Sequence, residues 1–432
     1  MSSQQPNQYT NQYVAIPRQH QGQTPTQFTY QQQGGSATLN TWLSQGESAS
    51  PYHNIGAYRP VTGSGSGANS WAAAPASQVT ALTYTSQTYL GLITTYTMAP
   101  AYDNTTRASE LVPIYAPHIA GKTILITGVS PGSLGEAFVK QVAVAKPSTF
   151  ILTGRNPSKA QPLIDFLASS HPDITVKPLT LDLTSLAQVR EAASLVNSWP
   201  DVPHIDLLVN NAGIMAGPYA LTQDGFESQF QTNYLSHFLL TNLLMPKILA
   251  SPDPRVVNIS SGAHRLGHIR WTDHAFDNGA NYDCWAAYGQ SKTATSLFAV
   301  ALAGKLGASR GLHAFSLCPG FVNTNLLSAA HGADDIPALL EGLRRVDAVM
   351  GTKYLWGMGG IAPKDMDQGV ATHVYAAFDQ KLLEEERNGE YLNHCRVADP
   401  YEEEVYCWAT SKVDADMLWR LSEKLVGQEF AY

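Results

Sequence analysis

The chain has 432 residues, is 44% hydrophobic and carries a formal net charge of -8. It is long enough for a sizeable core, and it lacks the basic footprint that a nucleic-acid or anionic-membrane partner needs. Four cysteines, Cys284, Cys318, Cys395 and Cys407, stand apart with no C-x-x-C pair, which fits neither a disulfide framework nor a zinc site. The start has no basic and apolar leader, and no window approaches the roughly 18 apolar residues of a spanning helix. These features predict a cytoplasmic protein with free thiols, no metal and no spanning segment, working on small molecules.

Charge is spread unevenly. Residues 1–110 contain only Arg18, Arg59 and Arg107 against Glu47, Asp103 and Glu110, with no lysine, so the rest of the chain carries the whole net charge. Up to about residue 80 the chain is dominated by Gln, Ser, Thr, Gly, Asn and Pro, with tracts such as Gln31-Gln32-Gln33-Gly34-Gly35. Such composition buries too little apolar surface to offset the entropy of ordering. We expect 1–110 to be a low-complexity, mostly disordered extension with one strand-like stretch from Val79 to Tyr96, and 111–432 to be the folded domain. A chain of residues 98–432 is expected to fold and work like the full one.

From Lys122 onward strands and helices alternate. The apolar runs Thr123–Thr127, Thr149–Thr153, Val176–Thr180, Leu207–Asn210, Arg255–Ser260 and Leu312–Cys318 read as strands, separated by helical patterns. That alternation implies an α/β fold, a Rossmann-type doubly wound parallel sheet with helices on both faces and ligands at the carboxyl ends of the strands.

The chemistry-bearing motifs fall at those ends. Thr127-Gly128-Val129-Ser130-Pro131-Gly132-Ser133-Leu134-Gly135 follows the first strand and opens a helix; glycines admit a pyrophosphate to the backbone and the helix terminus offers free amides. The second strand ends in Gly154-Arg155 with no acid to grip a ribose 2′-hydroxyl. An arginine there suits a 2′-phosphate, so NADP(H) is favoured over NAD. Asp182, after the third strand, can meet an adenine amino group or simply cap a helix. Asn210-Asn211-Ala212-Gly213 ends the fourth strand. In the helical run from Trp285 to Ala308, Tyr288 and Lys292 lie four residues apart on one face, though Y-x-x-x-K alone is common by chance.

Taken together, the Gly-rich turn, Asn-Asn-Ala-Gly, a serine after the fifth strand and Y-x-x-x-K resemble the short-chain dehydrogenase/reductase family over about Ile119 to Tyr432. The run Val257–His264 and the long loop before the tyrosine are most similar to its retinol-dehydrogenase-like branch. The resemblance implies Tyr288 as general acid/base, Lys292 on the nicotinamide ribose, Ser261 (with Ser260 as its rival) orienting the substrate oxygen, and Asn233 in a proton relay. It assigns the cofactor to Gly128, Ser130, Gly132, Leu134, Gly135, Arg155, Asp182, Asn211, Ala212, Gly213, Tyr288 and Lys292, and to the Pro319-Gly320 turn with Val322 and Thr324. The family's usual turn is T-G-x-x-x-G-x-G, whereas two residues separate Gly132 from Gly135 here.

A free tyrosine has a pKa near 10, and a neighbouring ammonium favours its phenolate. His264 and His268 read as loop-packing residues rather than bases. Ile336, Leu339, Leu340, Leu343, Val346 and Met350 make an apolar helical stripe, followed by Tyr354, Trp356 and Met358; it reads equally as a core-facing helix or as part of a substrate lid over 326–363, and a lid implies a small apolar carbonyl or alcohol as substrate. The segment 411–427 reads as a capped terminal helix, packed on the body or on a second copy in a homodimer. The rival to a catalytic oxidoreductase is a non-catalytic dinucleotide sensor or scaffold that interacts through the Gln-rich tail.

Overall fold

Among the described residues, β-branched and aliphatic runs bracketed by amphipathic helices pair into one sheet of eight strands. The computed structural model describes residues 102–322, 324–326, 336–352, 363–402 and 405–432. The low-complexity extension up to residue 101, with its strand-like stretch, and the Tyr354, Trp356 and Met358 part of the lid lie outside the described residues.

In chain order, α1 (Ala108–Ile119) precedes β1 (Thr123–Thr127), α2 (Leu134–Ala143), β2 (Thr149–Gly154), α3 (Gln161–Ser170), β3 (Thr175–Thr180), α4 (Leu186–Ser198) and β4 (Leu207–Asn210). A π turn (Gln231–Leu235) leads into α5 (Ser236–Ile248), followed by β5 (Arg255–Ile259), α6 (Cys284–Leu302), β6 (His313–Cys318) and α7 (Ile336–Met350). The chain ends through α8 (Ala371–Phe378), β7 (Tyr391–Asn393), β8 (Arg396–Val397) and α9 (Lys412–Val426). The described strands lie in the order β3-β2-β1-β4-β5-β6-β7-β8, and their ladders are parallel except that of β7 with β8.

Strands β1, β4 and β5 are buried throughout, as expected of parallel strands covered on both faces. Their alternating side chains feed two cores. Leu125, Leu208 and Val256 point to one with Phe238, Phe298 and Trp419; Ile124, Ile126, Val209 and Val257 point to the other with Phe138 and Phe378. The edge strand β3 is exposed along much of its length and contains Pro178, which only an edge tolerates without losing a ladder bond.

Two elements extend what the local patterns convey. Helix α1 begins ahead of the boundary expected at residue 111 and already belongs to the body: Arg107 pairs with Asp365 at 2.7 Å and Asp367 at 3.3 Å, and the Tyr115 hydroxyl donates to Asp379 at 2.6 Å. At the opposite sheet edge, β7 and β8 form a tight hairpin whose turn residues His394 and Cys395 both have positive φ, 52° and 58°. Helix α9 starts at Ser411, whose hydroxyl accepts from Asp414 N at 3.1 Å, and stops at Gly427 with φ 66°. It packs on the body, with Trp419 5.0 Å from Phe238 ring to ring.

Candidate active site

The parallel registers bring the carboxyl ends of the strands to one edge, and the strand order reverses between β1 and β4, the crevice where open α/β sheets bind ligands. At the β1 end the extra residue of the glycine turn is absorbed locally. Ser133 N donates to Ser130 O at 3.1 Å, with Pro131 second in the turn and Gly132 third at φ 72°, the signature of a type II turn. Ser133 then caps α2 by accepting from Glu136 N at 3.2 Å. The three glycines consequently keep distinct places. A Cβ on Gly128 would lie 2.9 Å from Ala212, one on Gly132 would meet Asn325 at 3.0 Å, and one on Gly135 would overlap Gly128 O and Asn211 Nδ2. Only bare backbone fits at Gly128 and Gly135, while Gly132 answers to its positive φ.

Asn211 and Ala212 are fastened to that turn. Both their amides donate to Thr127 Oγ1 at 2.9 Å, and Asn211 Nδ2 donates to Thr127 O at 2.7 Å and Gly128 O at 3.0 Å. Next along, Asn233 Oδ1 accepts from Ile214 N at 2.8 Å, while its Nδ2 donates to Ile214 O and to Ser291 Oγ, both at 2.9 Å. Asn233 sits inside the π turn, a local irregularity frequent at functional positions. A Cβ on Gly213 would stand 3.1 Å from Asn233 Oδ1 and 3.5 Å from Lys292 Nζ, so Gly213 separates the β4 end from the lysine.

Helix α6 presents Tyr288 and Lys292 to this point. Asp283 caps it, accepting from Trp285 N and Ala286 N, and both functional side chains are buried, Lys292 at 5% and Tyr288 at 3% exposure. Lys292 Nζ lies 5.6 Å from the Tyr288 ring centroid and donates to Ile259 O at 2.9 Å. Burial pushes its pKa down to about 8, with Cys318 acting weakly in the other direction.

The two serines after β5 part company. Ser260 Oγ turns into the helix, donating to Lys292 O at 2.8 Å and accepting from Ser296 Oγ. Ser261 opens the loop after β5, where its Oγ accepts from Ala263 N at 3.1 Å as the cap of a short 3-10 turn. That turn contains His264, fully buried, its Nδ1 at 2.8 Å from Ser261 O and its Nε2 at 3.1 Å from Tyr406 N. A carbonyl only accepts and an amide only donates, so the proton is on Nδ1; burial drives the imidazole pKa down to about 3. His268 Nδ1 lies at 3.1 Å from Ile269 O.

Around Tyr288 the wall is apolar: Ala216, Ala263, Leu266, Trp285, Leu339, Leu343 and Val346 form one cluster with Met215 and Met350 against it. Helix α7 supplies Leu339, Leu343 and Val346, and is held by Trp285 Nε1 donating to Leu339 O at 2.7 Å and by Arg345 pairing with Asp283 at 2.6 Å. After β6, Gly320 has φ 85° and donates its N–H to Cys318 Sγ at 3.3 Å. Val322 bridges Lys364 and with Leu134 touches the space over Gly369, while Thr324 Oγ1 accepts from Leu326 N at 3.3 Å. Arg155 is exposed just past β2. Asp182 Oδ1 accepts from Thr184 N and Oγ1 at 2.9 and 2.8 Å in a local turn, while the cap of α4 is Ser185, which accepts from Gln188 N. Sequence reasoning missed Thr127, which organises two amides, and Gly289, where a Cβ would lie 2.6 Å from Gly267 N; the Gly next to Tyr288 was the available signal.

A glycine cradle at a helix start, a strand-order reversal and a buried ammonium beside a buried tyrosine define a dinucleotide-dependent oxidoreductase site. The residues present fit such a cofactor, because the cradle admits backbone approach only and a lysine with three donors has just one taken by Ile259. A family model described as short chain dehydrogenase matches residues 122–334. Retinol dehydrogenase 13 of Mus musculus is 33% identical over 314 residues, covering 73% of this chain and 86% of its own. The chloroplastic short-chain dehydrogenase TIC 32 A of Brassica napus is 32% identical over 348 residues, covering 78% and 98%. A crystal structure of a protein from Mycobacterium paratuberculosis superposes with a TM-score of 0.53 at 31% identity, covering 73% of this chain and 96% of that one. The chain belongs to the short-chain dehydrogenase/reductase family, on its retinol-dehydrogenase-like side. It is thus an oxidoreductase of alcohol or carbonyl groups that uses a nicotinamide cofactor. Among the described residues no helix is long and apolar enough to cross a membrane.

Proposed function

We propose that the protein is an NADP-dependent oxidoreductase of the cytoplasm that interconverts an apolar alcohol with its ketone or aldehyde. The observation that carries this reading is the buried Lys292 ammonium beside the Tyr288 ring, next to Gly213 at the meeting of the β1, β4 and β5 ends. The bound nicotinamide supplies or accepts the hydride. Tyr288 gives its phenolic proton to the substrate oxygen in reduction and takes it back in oxidation, as general acid and base. Lys292 favours the phenolate by its charge and offers its remaining donors to ribose hydroxyls. Ser261, which does not bond into α6 as Ser260 does, holds the substrate oxygen. Asn233 serves by fixing Ile214 and Ser291 around the relay.

Two features support the finer choices. Arg155 stands exposed at the β2 end with no acid beside it, which suits a 2′-phosphate. The wall of Leu266, Trp285, Leu339, Leu343 and Met350 offers a substrate little besides apolar surface. The test is Tyr288→Phe, assayed with NADPH against a panel of apolar ketones and aldehydes. Turnover should vanish while NADPH still quenches tryptophan fluorescence with unchanged affinity. A wild-type protein that binds NADPH and reduces nothing in the panel would point instead to a dinucleotide sensor.

A further inference from the structure

Behind the site lies a buried histidine that the mechanism above does not use. His237, 2% exposed, sits at the start of α5 with Nε2 2.9 Å from Thr127 Oγ1 and Nδ1 3.0 Å from Asn233 O. Its proton can be placed by counting. Thr127 Oγ1 accepts two amides, from Asn211 and Ala212, each at 2.9 Å, and a hydroxyl has two lone pairs and one proton. With both lone pairs engaged, the hydroxyl proton is left for His237 Nε2, which must be the acceptor. The Asn233 carbonyl can only accept, so the ring proton is on Nδ1. Every partner is satisfied in this single arrangement, and the reverse tautomer would set N–H against O–H at one end and a lone pair against a lone pair at the other. The ring is neutral, since burial and the nearby Lys292 ammonium hold its pKa down to about 4.

These bonds close a ring through the site. Thr127 fixes Asn211 and Ala212, Gly213 follows, Ile214 is gripped on both its polar atoms by the Asn233 carboxamide, and the Asn233 backbone returns through His237 to Thr127. The π turn belongs to the same device: it is closed by Ser236 N reaching Gln231 O, with Asn233 in its middle. We propose that His237 is a positioning residue for the reaction, an Nδ1-protonated imidazole that sets the Asn233 and Gly213 backbone relative to the Thr127–Gly128 turn, and so relative to Tyr288 and Lys292. The proposal rests on the functional reading above, since it gives that site its rear support.

The experiment has one part independent of catalysis. Nitrogen-15 NMR of histidine-labelled full-length protein at neutral pH, with His237 assigned from a His237→Phe spectrum, reads the tautomer directly. An Nδ1–H neutral ring is expected, and an Nε2–H ring or an imidazolium overturns the proposal whether or not a substrate is known. The kinetic part compares His237→Phe with His237→Asn, whose amide can still reach Asn233 O but not Thr127. In Phe, kcat should fall about tenfold or more and NADPH should bind about tenfold more weakly, each the scale of one lost buried hydrogen bond to the site. KM for the carbonyl substrate should move less than about twofold. In Asn, kcat should recover most of the loss while NADPH affinity does not. A merely structural histidine would lower the melting temperature in both variants and leave kcat of the folded protein unchanged, and that result overturns the proposal. Should the Phe variant fail to fold, the Asn variant supplies the assignment, and the tautomer alone decides.

Discussion

Replacing Lys292 with methionine should stabilise the protein while disabling it. Lys292 is 5% exposed, and burial lowers its pKa from 10.5 to about 8. A lysine whose folded pKa lies below its unfolded value binds fewer protons when folded between about pH 8 and 10.5, so stability rises with pH across that window. Below about pH 8 both states are charged and the whole penalty stands, which at about 1.4 kcal/mol per unit comes to about 3 kcal/mol at pH 7. Methionine keeps the stem volume and removes the charge but forfeits the bond to Ile259 O, worth about 1 kcal/mol. The net is about 2 kcal/mol of added stability, a rise of about 3 °C in melting temperature at about 2.1 cal/mol/K of unfolding entropy per residue. Urea melts at pH 7 measure the first figure and thermal melts the second, while NADPH binding and turnover should both collapse. The wild type offers an internal control. If the ammonium is needed for binding, a pKa near 8 implies that NADPH affinity falls about tenfold between pH 7 and pH 9, as the charged fraction drops from about nine-tenths to about one-tenth, and the methionine variant should lose that slope. A methionine variant less stable than wild type, or an equally steep slope in it, would refute the reasoning.

Arg155→Ala should weaken NADPH by about tenfold or more, the scale of a charged hydrogen bond, and leave NADH nearly untouched; a higher wild-type kcat/KM with NADH would sink the assignment. His237, His264 and His373 have folded pKa values lowered by burial to about 4, 3 and 3, so the unfolded chain takes up protons first as pH falls below about 6.5. Stability should therefore decline from about pH 6.5 down to about 4, each histidine adding up to about 1.4 kcal/mol per pH unit, and a flat melting profile over that window would contradict their burial as neutral rings. Residues 98–432 should melt and turn over substrate like the full chain, because the Arg107 pairs with Asp365 and Asp367 are retained; a marked loss on truncation would make the earlier residues part of the working unit.

Much of the sheet could be read locally because β1, β2, β4, β5 and β6 are short, largely apolar runs, and the glycine turn, Asn211 and Ser261 lie just past the ends of β1, β4 and β5. What escaped local reading has a physical cause in each case. Helix α1 contains Pro113 and Pro117, residues that argue against a helix until its face is seen packed with Val374 and Phe378. The β7–β8 hairpin has only three and two residues per strand and turns on His394-Cys395 rather than the Asn-Gly that usually marks such a turn. That Ser260 bonds into α6 while Ser261 caps the loop depends on how β5 lies against α6, since adjacent residues on an extended segment face opposite ways. His237 and Thr127 lie 110 positions apart, and no periodicity signals a pair whose meaning is a proton's location.

The Ser130–Ser133 turn bears on how such fingerprints are searched. Close approaches occur at Gly128, Gly132 and Gly135, with a Pro-Gly reverse turn doubling the chain back on itself before the helix begins. A text pattern with fixed gaps treats the extra residue as a mismatch, although each of the three glycines still has a close neighbour. Such sites can be compared by which neighbouring atoms leave no room for a side chain, instead of by the count of letters between glycines, so that loops of different length are judged by the wall they build.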